Sequence, residues 1–433
     1  MSMARLAYWL MPLFLLANAV ANTQSTFVNV KSGQFILRGK PYYYVGANYW
    51  YAGLLGNDES GKQRLKKELD FLHYHGVSNL RVLSGAEGTG QINGVPRVEP
   101  PLQPKAGAFN KDILKGLDFL LVELNKRQMK AIIFLSNNWE WSGGFLQYLN
   151  WNGLISDTIL KRKLNWNEMR DYVSKFYSCG PCRKQYKEQV KIIVSRVNSI
   201  TGKKYKDDPA IMSWEIANEP RPMRPAAIPL YEEWISNTAA YIKSLDKNHL
   251  VTTGSEGEMG SETLQVFKDI HSDKNIDYAT IHIWPKNWSW FRDTTIAGSM
   301  DKIKTNTLNY ISKHKNISRE INKPLVIEEF GLPRDNHSFD LSSSTSLRDD
   351  YYRIIFSELV SSVENKDVIG GANFWAFGGI GRPSQLWWKK GNDWLGDPPM
   401  EEQGLNSVFD TDSGTWDMIN SFAKRINRNE KGK

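Results

Sequence analysis

This chain should fold as one α/β domain, a single (β/α)8 TIM barrel with extended loops on the C-terminal face of its strands. Two observations carry that expectation. A strand-like run followed by an amphipathic helical stripe recurs eight times, and no linker, low-complexity stretch or tandem repeat interrupts the 433 residues. A doubly wound sheet would alternate in the same way, but would usually place a Gly-rich phosphate turn after its first strand. None is present.

The strand candidates are short apolar or β-branched runs at 42–45, 79–83, 130–135, 211–216, 250–253, 278–283, 325–327 and 371–375. Between them fall the helical stripes. Leu65, Leu69 and Leu72 share one face and stop at Gly76, a natural C-cap. The next stripe runs from Ile113 through Leu117 and Leu121 to Leu124, and a third from Val190 through Ile193, Val194 and Val197 to Ile200. Trp234, Ile235, Ile242 and Leu245 make the fourth, and Leu264, Phe267 and Ile270 the fifth. Ile303 with Ile311, then Leu347 with Tyr351, Ile355 and Leu359, then Trp416 with Ile419, Phe422 and Ile426 complete the ring. Extra length is concentrated at 139–208, after the third strand, and at 378–404, after the eighth.

Residues 1–21 read as a cleavable signal peptide. Arg5 precedes an apolar run over 6–16, and Ala19-Val20-Ala21 offers a small-x-small cleavage site. The run is shorter than the roughly 20 residues a spanning helix needs, and no later segment reaches about 18 uninterrupted apolar residues. The catalytic barrel domain, 22–433, is therefore expected outside the cytoplasm (periplasm, cell surface or medium), with no membrane span after signal cleavage. Cys179-Gly180-Pro181-Cys182 holds the only two cysteines. In an exported protein that pair reads as a local disulfide stapling the start of a helix. A thioredoxin-like redox pair would follow an apolar strand, which Lys175-Phe176-Tyr177-Ser178 is not.

The formal net charge is +8. The cations are scattered along helical stretches, as with Lys62, Arg64, Lys66 and Lys67, so no nucleic-acid partner is expected. Sixteen Trp, with 18 Tyr and 18 Phe, exceed what a core needs, and flat rings carrying a polar handle suit the C–H faces of sugars.

Chemistry in a barrel projects from the C-terminal ends of the strands. Read in order, those ends carry Arg81, Asn137-Asn138-Trp139, Asn218-Glu219-Pro220, Gly254-Ser255-Glu256, His282-Ile283-Trp284, Glu328-Glu329-Phe330-Gly331 and Trp375. Core filling would not choose carboxylates, amides, an Arg and a His there. Two carboxylates on opposed strands suit retaining glycoside hydrolysis, in which one protonates the leaving oxygen and the other attacks the anomeric carbon across roughly 5–5.5 Å. The attacking carboxylate must stay ionised, which Arg81 would favour by charge and hydrogen bonding, while the donor must hold its proton near neutral pH. Asn218, beside the donor, is placed to bond a sugar 2-hydroxyl.

These residues also carry a resemblance. Trp214-Glu215-Ile216-Ala217-Asn218-Glu219-Pro220 and Ile327-Glu328-Glu329-Phe330-Gly331 resemble the strand-four and strand-seven motifs of glycoside hydrolase family 5. Within that family the chain is most similar to endo-β-1,4-mannanases, through Val45-Gly46-Ala47-Asn48-Tyr49-Trp50, Asn79-Leu80-Arg81, Asn137-Asn138-Trp139 with Gly143-Gly144, His282-Ile283-Trp284-Pro285 and Phe374-Trp375. The resemblance runs from about Phe27 to the end of the chain. It implies Glu219 as acid/base and Glu329 as nucleophile, with Glu328 pointing the other way along its strand. It further implies Trp139 and Trp375 as sugar platforms, His282 lining the site, and Arg81, Asn138 and Asn218 among the substrate-binding set. Trp284 departs from the family pattern, where many members carry a Tyr that hydrogen-bonds the nucleophile. An indole N–H donates but cannot accept, so Trp284 is expected to shape the pocket.

The partner expected is a β-mannan or related plant polysaccharide, cut internally at β-1,4-mannosidic linkages by a monomeric enzyme. A β-1,4-glucanase of the same family, and a non-catalytic carbohydrate-binding barrel, remain the alternatives. The mechanism needs no cofactor and no metal. Glu256 and Glu258 could meet a cation, but they belong to no cluster with metal-ligand spacing.

Overall fold

Strands form where the sequence places short runs that are apolar on both faces, and here they are buried on both sides as parallel strands must be. The computed structural model describes residues 25–431, so the predicted signal peptide lies outside the described residues. The barrel strands are β1 (Tyr44–Asn48), β2 (Val77–Leu83), β3 (Lys130–Phe134) and β4 (Ile211–Glu215). They continue as β5 (Leu250–Thr252), β6 (Ala279–Ile283), β7 (Leu325–Phe330) and β8 (Ile369–Phe374). All pair in parallel in the order β5-β4-β3-β2-β1-β8-β7-β6. The circuit closes between β5 and β6, where the Asp277 amide donates to Val251 O at 2.8 Å and the Thr252 hydroxyl to Tyr278 O at 2.9 Å. All eight predicted strands are present. β1 lies later than its 42–45 expectation, and β7 extends to Phe330.

The outer ring consists of α1 (Glu59–Tyr74), α2 (Lys111–Lys126), α3 (Gly180–Val194), α4 (Ile228–Leu245), α5 (Leu264–Ser272), α6 (Ile296–Glu320), α7 (Ser346–Asn365) and α8 (Ser413–Lys431). In α1, Asp58 caps the N-terminus by accepting from Gly61 N at 2.8 Å, Leu65, Leu69 and Leu72 face the barrel, and Gly76 takes the left-handed φ of 81° that ends it. One stripe was too long. α3 stops at Val194, and Val197 and Ile200 are 49% and 55% exposed. The chain turns there because Asn198 Oδ1 accepts from Ile200 N and Asp118 accepts from Ser199 N, so the backbone is satisfied outside a helix.

The lower end of the barrel is plugged. A small antiparallel unit (Asn29–Lys31, Gln34–Leu37, Lys40–Pro41) inserts Phe35 against Tyr278, with ring centroids 5.2 Å apart. Phe35 joins Tyr44, Ile132, Met212, Leu250 and Val326 in a core of their own beneath the main one. The upper end carries the two long insertions. Between β3 and α3 stand the short helices Gly144–Trp151 and Trp166–Val173, followed by the Cys179–Cys182 disulfide at the start of α3. After β8 the chain pairs Phe377–Gly379 with Val408–Phe409, and the intervening loop folds around Asp397. That carboxylate accepts from the amides of Gly404, Asn406 and Ser407.

Candidate active site

Register sets predicted residues of neighbouring strands side by side. Asn48 pairs with Arg81 across β1 and β2, and His282 with Glu329 across β6 and β7. Arg81, fully buried, is the hub. Its Nη1 donates to Glu329 Oε1 at 2.5 Å and to Asn48 Oδ1 at 3.1 Å. Its Nη2 donates to Asn218 Oδ1 at 2.7 Å and to Glu215 Oε1 at 2.5 Å, and its Nε to Glu215 Oε2 at 2.8 Å. One guanidinium thus faces Glu215, Glu329 and, at 3.7 Å, Glu328.

The resemblance implies a Glu328 pointing the other way along its strand, but the side chain faces this group. The β6–β7 register shifts between Ile281 and His282, and the irregularity turns Glu328 inward beneath Glu329, 3.6 Å from His282 Nε2. One cation cannot neutralise three buried acids. Burial first, and the Glu215 charge second, hold the Glu328 carboxyl up to about 7.

Glu219 lies just past β4 with a left-handed φ of 51°, costly for a residue with a Cβ and fixed here by its amide donating to Gly254 O at 2.9 Å. Its Oε1 is 2.6 Å from His282 Nδ1, and its Oε2 accepts from the Trp139 indole N–H. Burial raises the Glu219 carboxyl, against the lowering influence of Arg221 and the Trp139 hydrogen bond. Burial likewise raises Glu329, opposed by Arg81 and reinforced by the Glu219 charge. His282 is pushed down to about 4, by burial above all, and so stands neutral.

Trp284 does more than shape the pocket. Its Nε1 donates to Glu329 Oε2 at 3.1 Å, the bond that a Tyr hydroxyl was expected to make elsewhere in the family. Trp375 packs edge-on against Trp284 at 5.9 Å and lines the cleft, as does Trp139. The cleft is about 460 Å³, and Asn218, Glu219 and Glu329 open into it. Asn218 spends one N–H on Asn137 Oδ1, which leaves its second for a ligand.

Three predicted binding residues lie one layer deeper. Arg81 and His282 reach the carboxylates from below. Asn138 is fully buried, its Oδ1 accepting from Arg221 N at 3.4 Å, because the turn aims it at the backbone after Glu219. Sequence reasoning assigned no role to Glu215, whose inward position on β4 was its only signal. Nor did it find Arg221, whose guanidinium lies 5.0 Å from the Trp139 ring centre and pairs with Glu256. Met400 and Glu401 reach the cleft from the loop after β8, where no periodicity could have pointed to them.

One oxygen each of Glu219 and Glu329 and one nitrogen of His282 lie within 4.8 Å of one another, a trio that sequence spacing had not suggested. Its donor set fits a cation poorly. Each of those carboxylate oxygens already faces an N–H donor or the His282 nitrogen, and Arg81 brings a fixed positive charge against them.

A (β/α)8 barrel with paired carboxylates in an aromatic cleft defines a carbohydrate-cleaving enzyme, and the comparisons agree. Residues 25–431 match the family described as GH family 5 beta-mannosidase-like. The chain belongs to that family and is a glycoside hydrolase. It is 31% identical over 366 residues, 81% of either chain, to mannan endo-1,4-beta-mannosidase 1 of Arabidopsis thaliana. The crystal structure of a glycoside hydrolase family 5 mannosidase from Rhizomucor miehei superposes with a TM-score of 0.85 at 32% identity, covering 94% of this chain and 99% of that one. An endo-1,4-beta-D-mannanase from Thermotoga petrophila gives 0.64 at 26%, covering 88% and 99%.

Proposed function

We propose that this enzyme hydrolyses internal β-1,4-mannosidic bonds of mannan, galactomannan and glucomannan by double displacement, with Glu219 as acid/base and Glu329 as nucleophile. The observation that carries the reading is the opposed pair: one oxygen each of Glu219 and Glu329 stand within 4.8 Å, the close approach of a retaining pair and too near for the roughly 6.5–9.5 Å that inversion needs. The relatives named as mannan endo-1,4-beta-mannosidases support the choice of sugar.

Protonated Glu219 donates to His282 Nδ1 until substrate binds, while the Nε2–H faces Glu328. In the first step Glu219 gives its proton to the glycosidic oxygen as Glu329 attacks the anomeric carbon. The carbon–oxygen bond breaks, and the sugar is left as an ester of Glu329. In the second, Glu219 takes a proton from water, whose oxygen attacks the same carbon and releases Glu329. Arg81 and the Trp284 N–H hold charge on Glu329 at both ends of this cycle. The scheme needs no group from a second copy, and a monomer is the acting form proposed. Residues 1–21 support export.

A second reading is cleavage at chain ends. Met400 and Glu401 from the loop after β8 line the cleft, and the superposition on the Rhizomucor miehei mannosidase is tighter than on the Thermotoga petrophila mannanase. One assay decides among these. Linear mannan and soluble cellulose are digested side by side, with Glu329→Ala as control, and product sizes and anomeric configuration are followed by NMR. Mixed mannan oligomers released first as the β-anomer are expected. Mannose alone would favour chain-end attack, cleavage of cellulose only would replace the substrate, and α-anomeric product would end the double-displacement scheme.

A further inference from the structure

Aromatic rings continue outward from the cleft on the side of α6. Trp288 lines the cleft together with Glu219, and its ring centre lies 4.9 Å from Tyr310 and 5.2 Å from Trp290. Beyond Trp290, along the outer surface of α6, lies a separate groove of about 480 Å³ lined by Trp290, Asn306, Asn309, Tyr310, Ser312 and Lys313. Helical spacing puts Asn306, Asn309 and Lys313 on one face. Asn309 and Ser312 are exposed and Asn306 half-buried, and none of the three spends its side chain on another described residue. Lys313 is drawn aside to Glu258 at 3.2 Å, which leaves neutral amides and a hydroxyl beside a half-buried indole.

That combination suits a neutral sugar chain. An indole face takes the C–H side of a pyranose ring, while amides offer two donors and an acceptor to neighbouring hydroxyls. Charged ligands would find no unpaired partner there.

We propose that this groove is a secondary binding surface for a β-linked polysaccharide, with Trp290 as the platform and Asn306 and Asn309 as the hydroxyl partners. The proposal rests on the polysaccharide reading above. The surface chooses no bond for cleavage. It holds a long chain near the cleft and so raises the local concentration of cleavable segments, an advantage a short oligomer cannot use.

The test compares the native enzyme with Trp290→Ala and with Asn306→Ala/Asn309→Ala, the second altering only side chains outside the core. KM is measured on whichever of linear mannan and soluble cellulose the enzyme cleaves, and on a tetrasaccharide of the same sugar. Gel retardation in both polymers is read in the Glu329→Ala background. We expect KM for the polymer to rise roughly three- to tenfold, with tetrasaccharide kinetics of the double variant unchanged and retardation weakened. Equal losses on polymer and tetrasaccharide would assign these residues to the cleft wall and overturn the proposal, as would unchanged polymer KM and mobility. If the native enzyme cleaves neither polymer, the proposed function fails and retardation alone decides. Loss in the double variant supports the surface, and no retardation in either gel removes it.

Discussion

At Glu329 two donors meet one carboxylate, Arg81 at Oε1 and Trp284 at Oε2. A hydrogen bond to a charged group contributes roughly 1.5–3 kcal/mol, so Trp284→Phe should lower kcat/KM roughly tenfold to a hundredfold while the folded cleft keeps its shape. An unchanged rate would mean that Arg81 alone positions Glu329. The pH profile follows from the pair. Burial raises both members of the pair, so one proton is retained between them above the ordinary carboxylate range. Arg81 and Trp284 both donate to Glu329 and place the charge there, so that proton sits on Glu219 and is lost as pH climbs. The alkaline limb of kcat/KM should therefore belong to Glu219. Glu219→Gln should erase that limb on an aryl mannoside whose leaving group needs no protonation, and slow hydrolysis of mannan by roughly 10²–10⁴. Glu219 and Glu329 were legible because they end strands in recognisable motifs. The inward turn of Glu328 was not, since it depends on a register shift between strands far apart in sequence.

Elements divide the work between stability and chemistry. The small antiparallel unit at 29–41 seals the barrel floor through Phe35, well below the carboxylates. Phe35→Ala should cost roughly 3–5 kcal/mol in denaturant unfolding with kcat unaltered, and a matching loss of kcat would show that the floor sets the geometry above. Strands and helices were legible in the sequence because burial writes period and length into them. The stretch beyond α3 was not, because side-chain capping by Asn198 and Asp118 competes with helix there. The loop after β8 is held by Asp397 and by Glu68, which accepts from Ile380 N at 2.8 Å, contacts that no local pattern announces. Burial first, then the Asp397 charge, push Glu401 on that loop up to about 8, above the ordinary carboxylate range, where it meets the cleft.

Among the described residues no helix is long and apolar enough to cross a membrane. If residues 1–21 direct export, N-terminal sequencing of the exported enzyme should begin near Asn22, and an intact Met1 on exported material would refute the cleavage. The barrel also has a polarity. Its plugged floor is where the chain comes in from Ser25, and its cleft opens at the other end. Anchoring the protein by its amino end to a bead, a cell wall or a second module would therefore leave the mouth of the barrel turned outward. A tether there orients every copy toward insoluble polymer without asking anything of the residues that cut it.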